Sequence, residues 1–227
     1  MTIVDLQETN VRDLNERLHR LPPDTRERSW RVLNPRGAHA LAAGLTRPID
    51  VEIDGHVGYY CGGMNQVARI TVIGHAGTGL GENIMSGTIR VKGNASQSAG
   101  ATGHGGLVVI EGDAGQRCGI SMKGVDIVVG GSVGHMSAFM AQAGSLVVCG
   151  DAGPHLGDSI YEAALYVRGK VASLGSDCIE KELTPKHRAK LEALLERAGV
   201  DARAKDFRRF GSARKLYNFT VDHAASY

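Results

Sequence analysis

The chain has little charge imbalance, few cysteines and no long apolar run. Its 26 Lys and Arg against 24 Asp and Glu leave a net charge of +2. That is too small to point to nucleic acid, and no long basic run compensates. No apolar segment reaches the roughly 18 residues of a membrane span. The N-terminus lacks the charged-then-apolar pattern of a secretory signal, so the expectation is a cytoplasmic protein. The four cysteines form no CxxC pair and no His/Cys ligand spacing, so no metal site is expected. Nothing resembles a nucleophile elbow. No strand–GxGxxG–helix unit is present for a dinucleotide.

Glycine is plentiful, at 31 of 227 residues, and it is periodic. Gly55, Gly74, Gly93, Gly112, Gly131, Gly150 and Gly169 recur at a constant spacing of nineteen. Four positions before them stand Val51, Ile70, Ile89, Val108, Ile127, Leu146 and Leu165; two before stand Ile53, Val72, Val91, Ile110, Val129, Val148 and Val167. A fixed period of about 20 residues marks a solenoid. Aliphatics at i and i+2 share one face of a strand. Further glycines at Gly62, Gly81, Gly100, Gly119 and Gly157 suit sharp corners. The expected fold is therefore an all-β solenoid: a right-handed parallel β-helix of about seven 19-residue coils with short flanking helices. At about 4.8 Å per coil it makes a rod of roughly 30 Å. Cys61 and Cys118, three coils apart, then lie about 14 Å from each other, beyond disulfide reach.

Three regions follow: residues 1–47 as an N-terminal arm, 48–182 as the β-helix, and 183–227 as a C-terminal helix and tail. In the arm, Asn10 caps a helix whose Val11, Leu14, Leu18 and Leu21 share a face. It either closes the open end of the solenoid or packs on a partner. In the third region, Thr184, Pro185 and Gly199 bound a second helix. Phe207, Arg208, Arg209, Phe210, Arg214, Lys215, Tyr217 and Phe219 follow, a basic and aromatic tail. Arg with aromatics is interface composition, and no nucleic-acid module accompanies it, so a docking role is favoured over RNA.

Between the paired aliphatics the outward residue changes character. Glu52, Thr71 and Arg90 are polar; Val109, Val128, Val147 and Tyr166 are apolar. Such a stripe needs a cover. A partner's surface is favoured, with the chain's own C-terminal segment as the alternative. Val109, Val128, Val147, Tyr166, Phe207, Arg208, Arg209 and Tyr217 are thus the candidate docking residues; none is a catalytic candidate. His56 and His75 share an offset in adjacent coils and should stack about 5 Å apart. That makes either a surface row or a site.

The runs Gly93-Asn94-Ala95, Gly100-Ala101-Thr102-Gly103, Gly112-Asp113-Ala114-Gly115-Gln116-Arg117 and Gly134-His135-Met136 carry a resemblance. They are similar to the GXGXG β-helix domain at the C-terminal end of the glutamate synthase large subunit. With its arm and tail, the chain most resembles the small GXGXG subunit of N-methylglutamate synthase. Gly119–Gly124, Gly134–Gln142 and Gly157–Glu162 strengthen that likeness. The repeat is shared with the β-helix subunit of formylmethanofuran dehydrogenase and its counterpart in the formyltransferase/hydrolase complex, the alternative reading. The resemblance implies a scaffold subunit in a complex that makes N-methylglutamate and ammonia from methylamine and glutamate. Its partners would be a glutaminase-like class II amidotransferase subunit and a synthase subunit holding FMN and an iron–sulfur cluster. No cofactor is implied for this chain.

Overall fold

The computed structural model describes residues 1–216. Its strands are β1 (Thr2–Asp5), β2 (Ser29–Leu33), β3 (Asp50–Asp54), β4 (Arg69–Val72), β5 (Thr88–Val91), β6 (Leu107–Ile110), β7 (Lys123–Val129), β8 (Ala143–Val148), β9 (Ala164–Val167), β10 (Cys178–Lys181) and β11 (Arg208–Ser212). They form one sheet in the order β1-β2-β3-β4-β5-β6-β7-β8-β9-β11-β10. From β1 to β9 every pairing is parallel. Val51, Ile70, Ile89, Val108, Ile127, Leu146 and Leu165 lie in one register row. The expected solenoid is therefore present, and its repeat aliphatics line a continuous buried core.

A second track of single bridges links Val57, Ala76, Ala95, Ala114, Val133, Ala152 and Val171. A third side turns on alternate left-handed residues. In one coil these are Met136, Ala138 and Met140, with φ of 54°, 57° and 51°. Their amides donate to the next coil, the previous coil and the next coil: to Pro154, Cys118 and Asp158 carbonyls at 2.9, 2.7 and 2.9 Å. Left-handed geometry costs a non-glycine residue about 1 kcal/mol, comparable to the net worth of one such bond. Glycine holds the middle position in most coils. At Gly100, with φ of 67°, a Cβ would come within 2.5 Å of Ile127 Cδ1.

The solenoid starts earlier than the glycine period shows. β1 and β2 extend the sheet ahead of β3, pairing Thr2 with Trp30 and Trp30 with Val51. Residues 37–44 stack on the following coil, with Gly37, Ala40 and Gly44 amides donating to His56, Tyr59 and Gly63 carbonyls. So residues 1–47 belong to the rod instead of forming an arm. The period fails there because the step from Trp30 to Val51 is longer than the step from Val51 to Ile70. Helix α1 (Val11–His19) is also inserted between β1 and β2.

That helix plugs the open end. Asn10 Oδ1 accepts from the Asp13 amide at 3.0 Å, the N-cap bond expected of Asn. Leu14 and Leu18 are buried in the solenoid core. The Asn15 side chain donates to Ala40 O at 2.8 Å and accepts from Ala42 N at 3.0 Å, tying the helix to the first corner. Of the two roles open to this helix, it takes the capping one. At the other end β11 runs antiparallel between β9 and β10, and Phe210 enters the core.

The outer face of the sheet as candidate functional site

Because side chains alternate along a strand, residues flanking the buried aliphatics stand on the sheet's outer face. One row runs Arg69, Thr88, Leu107, Asp126, Ser145, Ala164 and the next runs Thr71, Arg90, Val109, Val128, Val147, Tyr166. The apolar half of this face is not open to a partner. Helix α2 (Pro185–Ala198) lies over it, with Leu191, Leu194, Leu195 and Ala198 packed on Leu107, Val109, Val128, Val147, Cys149 and Tyr166. Val109, Val128, Val147 and Tyr166 are therefore corrected from docking residues to an intramolecular seam. Each fully buried aliphatic there contributes about 1.5–3 kcal/mol, which is why the chain's own helix settles on this stripe. Thr184 and Gly199 bound the helix as expected, Gly199 at φ 65°.

The tail residues are corrected in part. Phe207 is buried in the same seam. Arg209 donates to Glu182 O at 3.1 Å. Arg208 lies half-exposed, 3.5 Å from Glu180 and with its guanidinium over Phe210. Tyr217 and Phe219 lie outside the described residues.

Beneath α2 the seam holds polar groups. Ser145 Oγ and Tyr166 OH have no hydrogen-bond partner among the described residues. Asp126 stands 3.3 Å from the Lys190 ammonium. Burial pushes the Tyr166 hydroxyl up from its ordinary value; the Arg209 charge opposes this and the Asp126 charge adds to it. The hydroxyl stays protonated.

The His56–His75 pair is stacked, with centroids 4.9 Å apart. Its purpose is structural. His56 Nδ1 accepts from His75 N at 3.0 Å, and His75 Nδ1 from Asn94 N at 2.8 Å. Asn94, Asp113, Ser132 and Asp151 continue the ladder, each side chain accepting the next coil's amide at 2.7–3.0 Å. One acceptor after each repeat glycine from Gly55 to Gly150 fastens coil to coil, which accounts for the Gly-Asn and Gly-Asp corners. The cysteine thiols are equally structural. Cys61 and Cys118 are buried and pushed up to about 12 by desolvation. Thiols so shifted are poor nucleophiles. Among the described residues no group of three or more His, Cys, Asp or Glu gathers as a metal site.

The polar half of the face holds a feature that periodicity does not single out. A cleft of about 320 Å³ is lined by Arg69, Thr71, Thr88, Arg90, Leu107 and Arg197. Arg90 is fixed at both ends, to Glu111 at 2.9 Å and to Ala198 O at 2.8 Å. Arg69 approaches Asp50 only to 3.7 Å. The sequence signal is the two outward positions of β4 and β5; Arg197 joins them only through the placement of α2.

These features define a parallel β-solenoid protein with a helical plug at one end and a helix-covered sheet face. No family model matches the chain. Protein GlxC of Rhizobium meliloti (strain 1021) is 58% identical to it over 228 residues, covering 100% of both chains. The chain belongs to the GlxC family. The relation agrees with the resemblance drawn from the repeat glycines. Among the described residues no helix is long and apolar enough to cross a membrane.

Proposed function

We propose that this chain is the non-catalytic scaffold subunit of an N-methylglutamate synthase. In this reading it holds a glutaminase-like subunit against a synthase subunit that carries FMN and an iron–sulfur cluster, and it helps enclose the path of the transferred amine. The flavin and the cluster reside in the partner. The observation that carries the reading is the full-length identity to Protein GlxC, and the constant register from β3 to β9 supports it. Backbone hydrogen bonds along the rod axis, backed by the side-chain ladder, resist bending. A stiff wall fixes the separation of two sites while neighbouring surfaces seal the junction. With the apolar stripe covered by α2, docking falls to the polar half of the sheet face and to the Arg208 end.

The test is to co-express the chain with the two expected subunits, weigh the assembly and assay it with methylamine and glutamate. The expected result is a three-subunit flavoprotein that forms N-methylglutamate only when all three are present. A stable complex with molybdenum- or formyl-transferring subunits instead would overturn the reading.

A further inference from the structure

We propose that the arginine cleft between β4, β5 and the C-terminal end of α2 docks an acidic segment of a partner protein, one presenting two or more carboxylates. The proposal rests on the scaffold reading for the existence of a partner, and adds the face and the chemistry of the contact.

Three of the six lining residues are arginines and none is acidic. The Arg197 side chain has no hydrogen bond or ion pair among the described residues. The Arg69 side chain is 71% exposed and its contact with Asp50 is loose at 3.7 Å. Arg90 is held by Glu111 and the helix end, so it forms a fixed edge, while Arg197 and the loosely paired Arg69 can close on a ligand. The hydroxyls of Thr71 and Thr88 add donors between them, with Leu107 as the apolar wall. Guanidinium forks match carboxylates in geometry as well as charge.

Exposed arginines hold a single small anion weakly, because water and salt screen them. A protein segment brings several carboxylates at once and covers the cleft as it does so. A nucleic acid fits less well. The lining has no aromatic ring on which a base would stack. The cleft also sits on the half of the sheet face that α2 leaves bare.

The experiment uses a fluorescent oligo-glutamate peptide as probe, with binding read by anisotropy at low and high salt. Wild type is compared with Arg69→Glu/Arg197→Glu and with a control, Arg12→Glu/Arg26→Glu, at exposed positions distant in sequence. The two variants carry the same net charge. The expected result is salt-sensitive binding that weakens about tenfold or more in the cleft variant and stays within about twofold in the control. Arg69→Gln/Arg197→Gln, a milder change, should show the same order. Equal losses in both glutamate variants, no binding by wild type, or tighter binding of a single-stranded RNA through the same arginines would each overturn the proposal. The peptide assay does not depend on assembly. In the purified complex, an unchanged partner affinity for Arg69→Glu/Arg197→Glu would overturn the docking role and leave the scaffold reading standing.

Discussion

The outer face of the sheet has two halves built on one repeat. From β3 to β5 it presents Asp50, Glu52, Arg69, Thr71, Thr88 and Arg90; from β6 to β9 it presents Leu107, Val109, Val128, Val147, Ala164 and Tyr166, with Asp126 and Ser145 as the polar exceptions. The inward residues are aliphatic throughout and equally buried. The inward positions therefore decide that the coils stack, and the outward positions decide what lies against them. In the second half that is the chain's own α2, through a seam of leucines on valines. In the first half it is solvent and a cleft of arginines. Identical backbone, with a few side chains changed, yields a closed surface and an open one.

The largest effect is expected for Val128→Glu. It places a carboxylate where Val128 is fully buried under α2, at a cost of several kcal/mol, on the order of 3 or more. A melting temperature lowered by many degrees, with α2 becoming sensitive to protease, is the expected result. A variant as stable as wild type would show that the seam is open.

The two kinds of core differ in their thiols, and alkali should reveal it. Cys61 and Cys118 lie in the interior and are pushed up to about 12 by burial. Their ordinary value is 9.0, so between about 9 and 12 the unfolded chain has lost protons that the folded chain keeps. Their contribution is fully present below pH 9.0 and is lost as pH rises toward about 12. At one unit above the ordinary value each costs about 1 kcal/mol. Denaturant melts at increasing pH check this. Cys61→Ala/Cys118→Ala should flatten the fall, and an equally steep fall in that variant would assign it to other groups. Cys149, in the seam, is raised by burial and lowered again by Arg168, so its reactivity should appear first.

The smallest effect is expected for Thr71→Val, which puts an apolar side chain on the polar half of the outward row, with Arg90 between it and Val109. Stability should change by no more than about 0.5 kcal/mol. A larger gain would mean that the bare half has an apolar cover.

Much of this fold is legible because the solenoid repeats one unit. Seven glycines and fourteen aliphatics at fixed offsets leave little choice of architecture. The start of the rod is hidden because β2 precedes β3 by an irregular step and α1 interrupts the first coil. The apolar stripe is evident in the sequence, but its cover is not. Hydrophobicity reveals that a surface is buried, not by which chain; nothing local to Leu191 or Leu194 specifies where the helix lands. The histidine pair suggests chemistry because the repeat spacing brings the rings together. Only the hydrogen bonds to the following amides reveal a fastening. The cleft depends on Arg197, which lies far along the chain from Arg69 and Arg90, so no motif could collect them.

The fastened corners have one more consequence. Each coil adds the same rise, about 4.8 Å, and each is joined to the next by the same acceptor position. The wall is thus graduated. Anything held near one end is separated from anything held near the other by a whole number of coils. Removing or adding one complete repeat would move the two together or apart by one graduation and leave the chemistry at both ends unaltered. Removing a single residue from a strand would instead turn every inward aliphatic of that strand outward.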